Sequence, residues 1–260
     1  MTNTVTKIID WIKEYFIKNG PECKAVIGIS GGKDSTVAAA LLCKALGPNR
    51  VIAVQMPQGF QYDIDVSNEV IDYLEITEHY NINIGSACQE IFLSLPNDIR
   101  IQPQVTSNVP ARVRMNILYA IAASRHGRVV NTCNRSEDYV GYSTKFGDAA
   151  GDFSILSNYT ATEVKEIGIE LGLPKNFIEK PPEDGLSGLT DEENLGFSYD
   201  VLDNFLLNGI TPPYEIYKNI EQRHKRNLHK ISPCQLVHSF LKESFTALFI
   251  FYNIYDIIFI

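Results

Sequence analysis

Residues 26–36 read VIGISGGKDST, a short apolar run that ends in two glycines, an aspartate and two hydroxyl residues. This order predicts a buried strand, a tight turn and the first turn of a helix. Glycines in such a turn let the backbone approach an anion closely, and the free N–H groups at the start of the helix face that anion. The stretch therefore predicts a phosphate-binding turn, and an ordinary glycine-rich turn without a ligand is the alternative.

Asp34 stands out in this turn, because a carboxylate beside phosphates would repel them. A divalent cation between the two removes the repulsion, so the sequence predicts a magnesium-bound nucleotide. The stretch is not the GxxxxGK[ST] loop, since its spacing differs and Lys33 precedes an aspartate. SGGxDS instead resembles the pyrophosphatase loop of ATP-dependent enzymes that adenylate their substrates.

Size and charge narrow the class of protein. A chain of 260 residues can bury one substantial core, so we expect a single domain over residues 1–240 and a divergent apolar tail at 241–260. The formal net charge of -8 opposes binding to a polyanion and argues against a nucleic-acid partner. The apolar run at 245–260 is interrupted by Asp256 and is shorter than the about 20 residues that span a bilayer, so we expect no membrane anchor.

The five cysteines form no CxxC pair and are odd in number, which is typical of reduced thiols in the cytoplasm. Charged residues interrupt the first apolar positions, so no signal peptide is expected. A cytoplasmic protein is therefore predicted, and the length leaves no room for a second domain that would generate ammonia.

Strands and helices alternate along the chain, which predicts an α/β fold with a Rossmann-like parallel sheet and helices on both faces. The ligand of such a sheet lies at the carboxyl ends of its strands. Strands are predicted at 25–30, 51–56, 81–85 and 128–134, and helices at 8–16, 34–46, 63–78, 112–124 and 160–172. The last helix is predicted to begin with a capping box formed by Thr160 and Glu163.

Polar residues follow the last of these strands, in a segment that reads NTCNRSEDYVGYSTKFGDAAGD at 131–152. Glu137 would complete a magnesium site with Asp34 if the two loops are neighbours, and a solvated acid at a helix start is the alternative. Lys145 and Asp148 are interleaved with glycines and aromatic residues, a composition suited to a ligand pocket. As an ordinary surface ion pair they would contribute at most about 1 kcal/mol.

Three further segments carry charge or loop character. Arg112 and Arg114 are predicted at the start of a helix, where guanidinium groups bind carboxylates or phosphates, or else form an exposed basic face. The Pro/Gly-rich segment at 180–200 is too long for a regular element and predicts a lid, with a loop of no function as the alternative. The basic cluster at 222–227 would suit the phosphates of a dinucleotide or be a solvated helix face.

Taken in order, SGGKDST, NVPARVRM, NTCNRSE, GYSTKFGD, KPPEDGLSGLTDEENLGFSYDVLD and HKR resemble the bacterial ammonia-dependent NAD synthetases over roughly residues 5–233. The resemblance implies a homodimer with a Rossmann-like sheet. It also implies that ATP adenylates the carboxylate of nicotinate adenine dinucleotide and that ammonia then displaces AMP.

The resemblance also implies residue roles. The pyrophosphate of ATP would be held by Ser30, Gly31, Gly32, Asp34 and Ser35, magnesium by Asp34 and Glu137, and ATP also by Thr132. Arg112, Lys145 and Asp148 would surround the dinucleotide and ammonia sites, with Lys225 at the dinucleotide. Lys145 and Asp148 are the catalytic candidates, Lys145 to neutralise the departing pyrophosphate and Asp148 to bind ammonium.

The chain departs from the family pattern in three places. Ala161 stands where many members carry a lysine, so a cationic phosphate contact is missing or comes from another residue. Asn131 stands where many members carry a glycine at the end of the strand, a departure that matters less because asparagine tolerates a positive φ better than most residues. The tail at 241–260 matches nothing in the family.

Two alternatives to this family remain. One is another SGGxDS adenylating amidotransferase or thiolase, and the other is an ATP-binding module without catalytic activity.

Overall fold

The computed structural model describes residues 3–59, 64–179 and 190–231. The tail predicted at 241–260 lies outside these residues, as do residues 180–189 of the predicted lid. The strands are β1 (Lys24–Gly28), β2 (Val51–Gln55), β3 (Glu78–Asn81), β4 (Gly127–Asn131) and β5 (Phe153–Ser154). They form one sheet in the order β3-β2-β1-β4-β5, in which each neighbouring pair is parallel.

Helices cover both faces of this sheet, which confirms the predicted Rossmann-like architecture. The α-helices in the described ranges are α1 (Asn3–Asn19), α2 (Lys33–Leu46), α3 (Ile64–Tyr73), α4 (Gly85–Leu93), α5 (Pro103–Arg125), α6 (Arg135–Val140), α7 (Ala161–Glu170), α8 (Lys175–Ile178), α9 (Asp191–Leu195), α10 (Tyr199–Asn208) and α11 (Tyr214–Ile231). Apolar residues of α1, α2, α3 and α7 pack on one face, and those of α4 and α5 pack on the other. The two cores explain why β2, buried at all five positions, reads as a continuous apolar run.

The chain reverses its winding direction between β1 and β4. β2 lies on one side of β1 and β4 on the other, with Val26 opposite Val129 in the register. Loops that leave two such strands at their carboxyl ends point in opposite directions and open a crevice between them. The turn at 29–32 and the loop at 132–134 therefore face each other across this crevice.

Two predicted element boundaries were wrong near the edge strand. The helix predicted at 63–78 ends at Tyr73, and the strand predicted at 81–85 is instead Glu78–Asn81, paired with β2. Ile82 and Ile84 carried the apolar signal for the strand, but they follow it and lead into α4, where Ile84 is fully buried. The edge position of β3 leaves its own alternate residues exposed, which weakened the signal at 78–81.

The prediction for 112–124 placed the helix start too late. α5 begins at Pro103, a residue well suited to the first helical position, and it continues through Pro110. Arg112 and Arg114 consequently lie in the middle of a helix rather than at its start.

The segment at 180–200 was predicted to lack regular structure, and this was wrong for its second half. α9 begins after Thr190, whose backbone N–H and side chain exchange hydrogen bonds with Glu193, and α10 begins after the cap residue Ser198. The capping box predicted at Thr160 and Glu163 is confirmed at the start of α7. No helix in the described part of the chain is long and apolar enough to cross a membrane.

Gly168 provides a test of packing against helix propensity. A Cβ at this position in α7 would lie 2.8 Å from Ile178 Cγ2 and 3.0 Å from Val37 Cγ2. Although alanine is favoured over glycine inside a helix by up to about 1 kcal/mol, crowding these β-branched side chains costs about 1–3 kcal/mol. We therefore expect Gly168→Ala to lower the free energy of unfolding, measured by urea denaturation.

The double variant G168A/I178A is the control for this prediction. Because Ile178→Ala removes the methyl group that the new Cβ meets, the double variant should lose less stability than the two single losses added together. Strict additivity, or a G168A protein more stable than the parent, would show that α2, α7 and α8 pack less tightly than described.

Candidate functional site

The glycine turn after β1 is held by its own hydroxyl groups. Ser35 Oγ donates to the carbonyl of Gly32 at 3.0 Å and lies 3.2 Å from Ser30 Oγ, which accepts the Gly32 N–H at 3.2 Å. Gly31 has a φ of 84°, in the left-handed region that favours glycine. The turn thereby presents the N-terminus of the 14-residue helix α2 at the carboxyl edge of the sheet.

Asn134 links the two loops on either side of the crevice. Its Nδ2 donates to Asp34 Oδ1 at 3.2 Å, and its backbone N–H donates to Glu137 Oε2 at 3.1 Å. Its Oδ1 accepts the backbone N–H groups of Ser136 and Glu137, which caps α6. The structure thus brings together the two carboxylates that the sequence paired, and the asparagine that joins them is almost fully buried.

Negative charge is concentrated at this point. Burial and then the charge of Asp34 raise the pKa of Glu137 well above its ordinary value, and the Lys33 ammonium opposes this shift. Two close carboxylates of this kind are oxygen donors that suit a hard divalent cation. The described residues contain no group of three or more His, Cys, Asp or Glu side chains arranged to hold a metal. A cation bound here would therefore also depend on oxygens of the ligand.

Sequence reasoning missed Tyr199 and Asp191, which complete the wall of this region. Tyr199 is 7% exposed, and its hydroxyl has no hydrogen-bond partner among the residues that the structure describes. Its burial, followed by the charges of Glu137 and Asp191, raises its pKa far above the ordinary range. Asp191 follows the cap residue Thr190, and Tyr199 follows the cap residue Ser198. These caps were the sequence signal that would have placed both residues at the start of a helix.

Asn131 does not use the tolerance of asparagine for a positive φ. Asn131 is the last residue of β4, and the described residues with positive φ other than glycine are Glu75, His126 and Phe146. The side chain instead ties the strand to the following loop, because Nδ2 donates to the carbonyl of Asp148 at 2.8 Å and Oδ1 accepts the Cys133 N–H at 3.0 Å. A glycine at this position would lack these bonds.

The loop at 141–148 carries the predicted catalytic pair. Asp148 Oδ1 accepts the Thr144 N–H at 3.0 Å. Desolvation raises the pKa of Asp148 above its ordinary value, and this hydrogen bond works against the shift. Lys145 Nζ donates to the carbonyl of His229, and Arg112 Nε donates to the carbonyl of Lys145 at 3.2 Å. Lys145 and Asp148 therefore lie on one loop, and Arg112 bonds to the backbone of that loop.

Phe146 is the strained residue of this loop. It has a φ of 63° and is 63% exposed. A bulky residue in the left-handed region is energetically unfavourable and persists only where its surroundings enforce it. The loop is therefore held in one conformation by the contacts on either side of Phe146.

Helix α11 supplies much of that restraint. Lys230 Nζ donates to the carbonyls of Gly141 at 2.7 Å and Ser143 at 2.9 Å, and Asn227 Nδ2 donates to the carbonyl of Val140 at 2.9 Å. These contacts hold the start of the 141–148 loop against α11. Lys230 was not identified from the sequence because it lies beyond the basic cluster at 222–227. Asn227 lies inside that cluster, but only the charged residues of the cluster were considered as ligands.

The remaining predicted residues lie further from these contacts. Lys225 is 72% exposed and forms an ion pair with Glu221 at 3.2 Å, one turn earlier on α11. Thr132 is half-buried at the first position after β4. The lysine of α11 that contacts the start of the 141–148 loop is thus Lys230 and not Lys225.

Ala161 begins α7 in an apolar cluster that includes Leu195 and Tyr199, and it is 5% exposed. Its N–H donates to Ser136 Oγ at 3.1 Å, and the neighbouring Thr162 N–H donates to a buried carboxylate, Asp203 Oδ2, at 2.8 Å. A lysine at 161 would have to leave this apolar cluster. The helix start is satisfied by protein groups instead.

The chain is similar in sequence to a known protein family and to its characterised members. Residues 4–234 match the family model described as NAD synthase. The chain is 38% identical over 240 residues to the NH(3)-dependent NAD(+) synthetase of Pyrococcus furiosus, covering 87% of this chain and 90% of the relative.

Two solved structures have the same fold. The NMN synthetase of Francisella tularensis superposes with a TM-score of 0.83 at 35% identity, covering 91% of this chain and 98% of that one. The NH3-dependent NAD synthetase of Campylobacter jejuni, solved in complex with nitrate, gives 0.73 at 26% identity, covering 90% and 98%.

The hydrogen bonds from Lys230 provide a test of how the 141–148 loop is held. Bonds from a charged donor typically stabilise by about 1.5–3 kcal/mol each, so Lys230→Met should free the loop. We expect the Thr144 amide, which is bonded to Asp148, to exchange with deuterium at least about tenfold faster by NMR. Lys218→Met, at an exposed lysine of the same helix, should leave that rate unchanged. Equal rates in both variants would mean that α11 does not restrain the loop.

Proposed function

The chain belongs to the NAD synthase family, and we propose that it uses ATP and ammonia to amidate nicotinate adenine dinucleotide. The products are NAD, AMP and pyrophosphate. The observation that carries this proposal is the linkage of Asp34 and Glu137 through Asn134 across the crevice between β1 and β4. That linkage joins the SGGKDS turn and the NRSE segment in one site, where a nucleotide triphosphate would meet both.

The chemistry requires activation because a carboxylate has no adequate leaving group for attack by ammonia. Attack of the nicotinate oxygen on the α-phosphorus of ATP forms an adenylate and releases pyrophosphate. Ammonia then attacks the carbonyl carbon, and AMP departs with the original carboxylate oxygen. The protein must stabilise negative charge on the departing pyrophosphate and exclude water from the adenylate.

The turn after β1 is suited to the pyrophosphate. Ser30, Gly31, Gly32 and Ser35 form a compact turn at the N-terminus of α2, where backbone N–H groups and the helix dipole favour anions. Thr132 would contact the nucleotide from the opposite side of the crevice, directly after β4.

Asp34 and Glu137 would hold Mg²⁺ together with phosphate oxygens. Their chemistry fits this cation, because two carboxylates that both bond to Asn134 share one small region and offer oxygen donors. When bound, the ion would offset the charge of the phosphates.

The loop at 141–148 would serve both halves of the reaction. Asp148, with its desolvated carboxylate, would bind ammonium and take part in its deprotonation, and Lys145 would neutralise the departing pyrophosphate. Arg112, bonded to the Lys145 carbonyl, would face the dinucleotide. We assign Lys225 to the dinucleotide as well, although its contact in the free protein is with Glu221.

The family resemblance supports three broader proposals: a single domain over residues 1–240, a homodimer and a cytoplasmic location. A second candidate substrate is suggested by one of the structural comparisons. The superposition with an NMN synthetase makes nicotinate mononucleotide a candidate in place of the dinucleotide. We favour the dinucleotide because binding energy from its adenylyl half would help to position the nicotinate ring.

Neutral variants of the two carboxylates test the site. Asp34→Asn and Glu137→Gln should each slow pyrophosphate release by more than about 100-fold, because one electrostatic contact at a charge-separating step is worth about 3 kcal/mol or more. Asp65→Asn, at an exposed acid in the first turn of α3, is the matched control and should retain its rate. Thermal melts would verify folding, and a near-normal rate at saturating magnesium would remove that residue from the site.

A product screen tests the function itself. The protein is incubated with ATP, magnesium and either ammonium or glutamine, and with nicotinate adenine dinucleotide or nicotinate mononucleotide in parallel. Mass spectrometry should detect NAD, AMP and pyrophosphate with ammonium, little product with glutamine, and at least about tenfold lower kcat/KM for the mononucleotide. Preference for the mononucleotide would make the second candidate correct. Formation of ADP, or no turnover of either nucleotide, would contradict the proposal.

A further inference from the structure

Lys33 is the one charged residue of the SGGKDS turn that the proposed reaction leaves unassigned. Its Nζ donates to both carboxylate oxygens of the adjacent Asp34, at 2.8 Å and 2.9 Å. Successive residues on a helix do not normally face each other, so this contact depends on the position of Lys33 at the first turn of α2. The side chains of Lys33 and Asp34 are only 11% and 18% exposed, which distinguishes them from a surface ion pair.

The surroundings of the ammonium group are strongly negative. Burial by itself would lower the pKa of Lys33, but the charges of Asp34, Glu137 and Asp203 act in the opposite direction and the pKa is raised. By its position on both oxygens of Asp34, the Lys33 ammonium offsets the charge of the two carboxylates that Asn134 joins.

We propose that Lys33 is an internal counter-cation of this site, which occupies the Asp34 carboxylate in the free protein and is displaced from it when a divalent cation binds. The inference rests on the proposed function, in which Asp34 and Glu137 hold Mg²⁺ with the nucleotide. A displaced ammonium group would then be free to contact the phosphates. Lys33 is in this sense a substitute for the metal before the nucleotide arrives.

The hydrogen bonds to Asp34 explain why displacement is necessary. Asp34 Oδ1 accepts from both Lys33 and Asn134, and Oδ2 accepts from Lys33. A divalent cation needs carboxylate lone pairs directed toward it and is repelled by an ammonium group at contact distance. Two cations that compete for one carboxylate must weaken each other's binding by the same factor.

Manganese binding in the absence of nucleotide measures this competition without depending on catalysis. The full chain is titrated with Mn²⁺, and free Mn²⁺ is followed by electron paramagnetic resonance. Lys33→Gln, which keeps the length of the side chain approximately but removes its charge, should bind Mn²⁺ at least about tenfold more tightly than the parent. Lys44→Gln, at an exposed lysine near the end of α2, should bind as the parent does.

Asp34→Asn, alone and combined with Lys33→Gln, identifies the site that produces the signal. The tighter binding should disappear in the double variant. Equal affinity of K33Q and the parent, no saturable binding by K33Q, or tighter binding that survives Asp34→Asn would each overturn the proposal. Lys33→Met replaces K33Q if thermal melts show that the glutamine variant does not fold.

The Mn²⁺ titration and the product screen test the role of Lys33 and the proposed function separately. If K33Q binds Mn²⁺ more tightly but the protein forms no NAD, the counter-cation role stands and the proposed function does not. If NAD is formed but K33Q binds Mn²⁺ as the parent does, the function stands and the role of Lys33 is wrong.

Discussion

The parallel pairing of β1 with β4 is the constraint on which the candidate site depends. The two strands are separated by about 100 residues of chain, yet their carboxyl ends lie side by side and direct two polar loops toward one crevice. One loop supplies a helix N-terminus and Asp34, and the other supplies Asn134 and Glu137. Asn134 converts this proximity into contact, since it holds a carboxylate from each loop.

Concentrating two carboxylates in a partly dry crevice has an electrostatic cost, and several features of the structure offset it. Lys33 neutralises part of the charge from within the turn itself, and the hydrogen bonds of Asn134 stabilise the ionised groups. A cluster of α6, α10 and α11 residues packs beside the site and carries Tyr199 and the loop restrained by Lys230. The charged centre is therefore built on the main sheet, while the 141–148 loop is held by the C-terminal helices.

The sequence predicted the features that depend on local signals and missed those that depend on tertiary contacts. The SGGKDST turn, the apolar run at 51–54 in β2 and the Thr160 capping box could all be identified from a few neighbouring residues. β3 was placed wrongly because an edge strand lacks the apolar pattern of a buried one, and the apolar residues that follow it pack elsewhere.

Lys230 and Asn227 were missed for a similar reason, because only the packing of α11 on α6 reveals that they contact the 141–148 loop. Asn131 illustrates the same limit. The residue type indicates only that a positive φ is tolerated, whereas the hydrogen bond from its side chain to the carbonyl of Asp148 is visible only in the structure.

The central claim is that ATP activates the nicotinate carboxylate as an adenylate in this crevice. Oxygen transfer tests it directly: nicotinate adenine dinucleotide labelled with ¹⁸O in the carboxylate is converted with ATP and ammonium, and the AMP is analysed by mass spectrometry. The account predicts that each AMP carries one labelled oxygen, because the carboxylate oxygen attacks the α-phosphorus and leaves with AMP. Unlabelled AMP, or label found in pyrophosphate or inorganic phosphate, would contradict it.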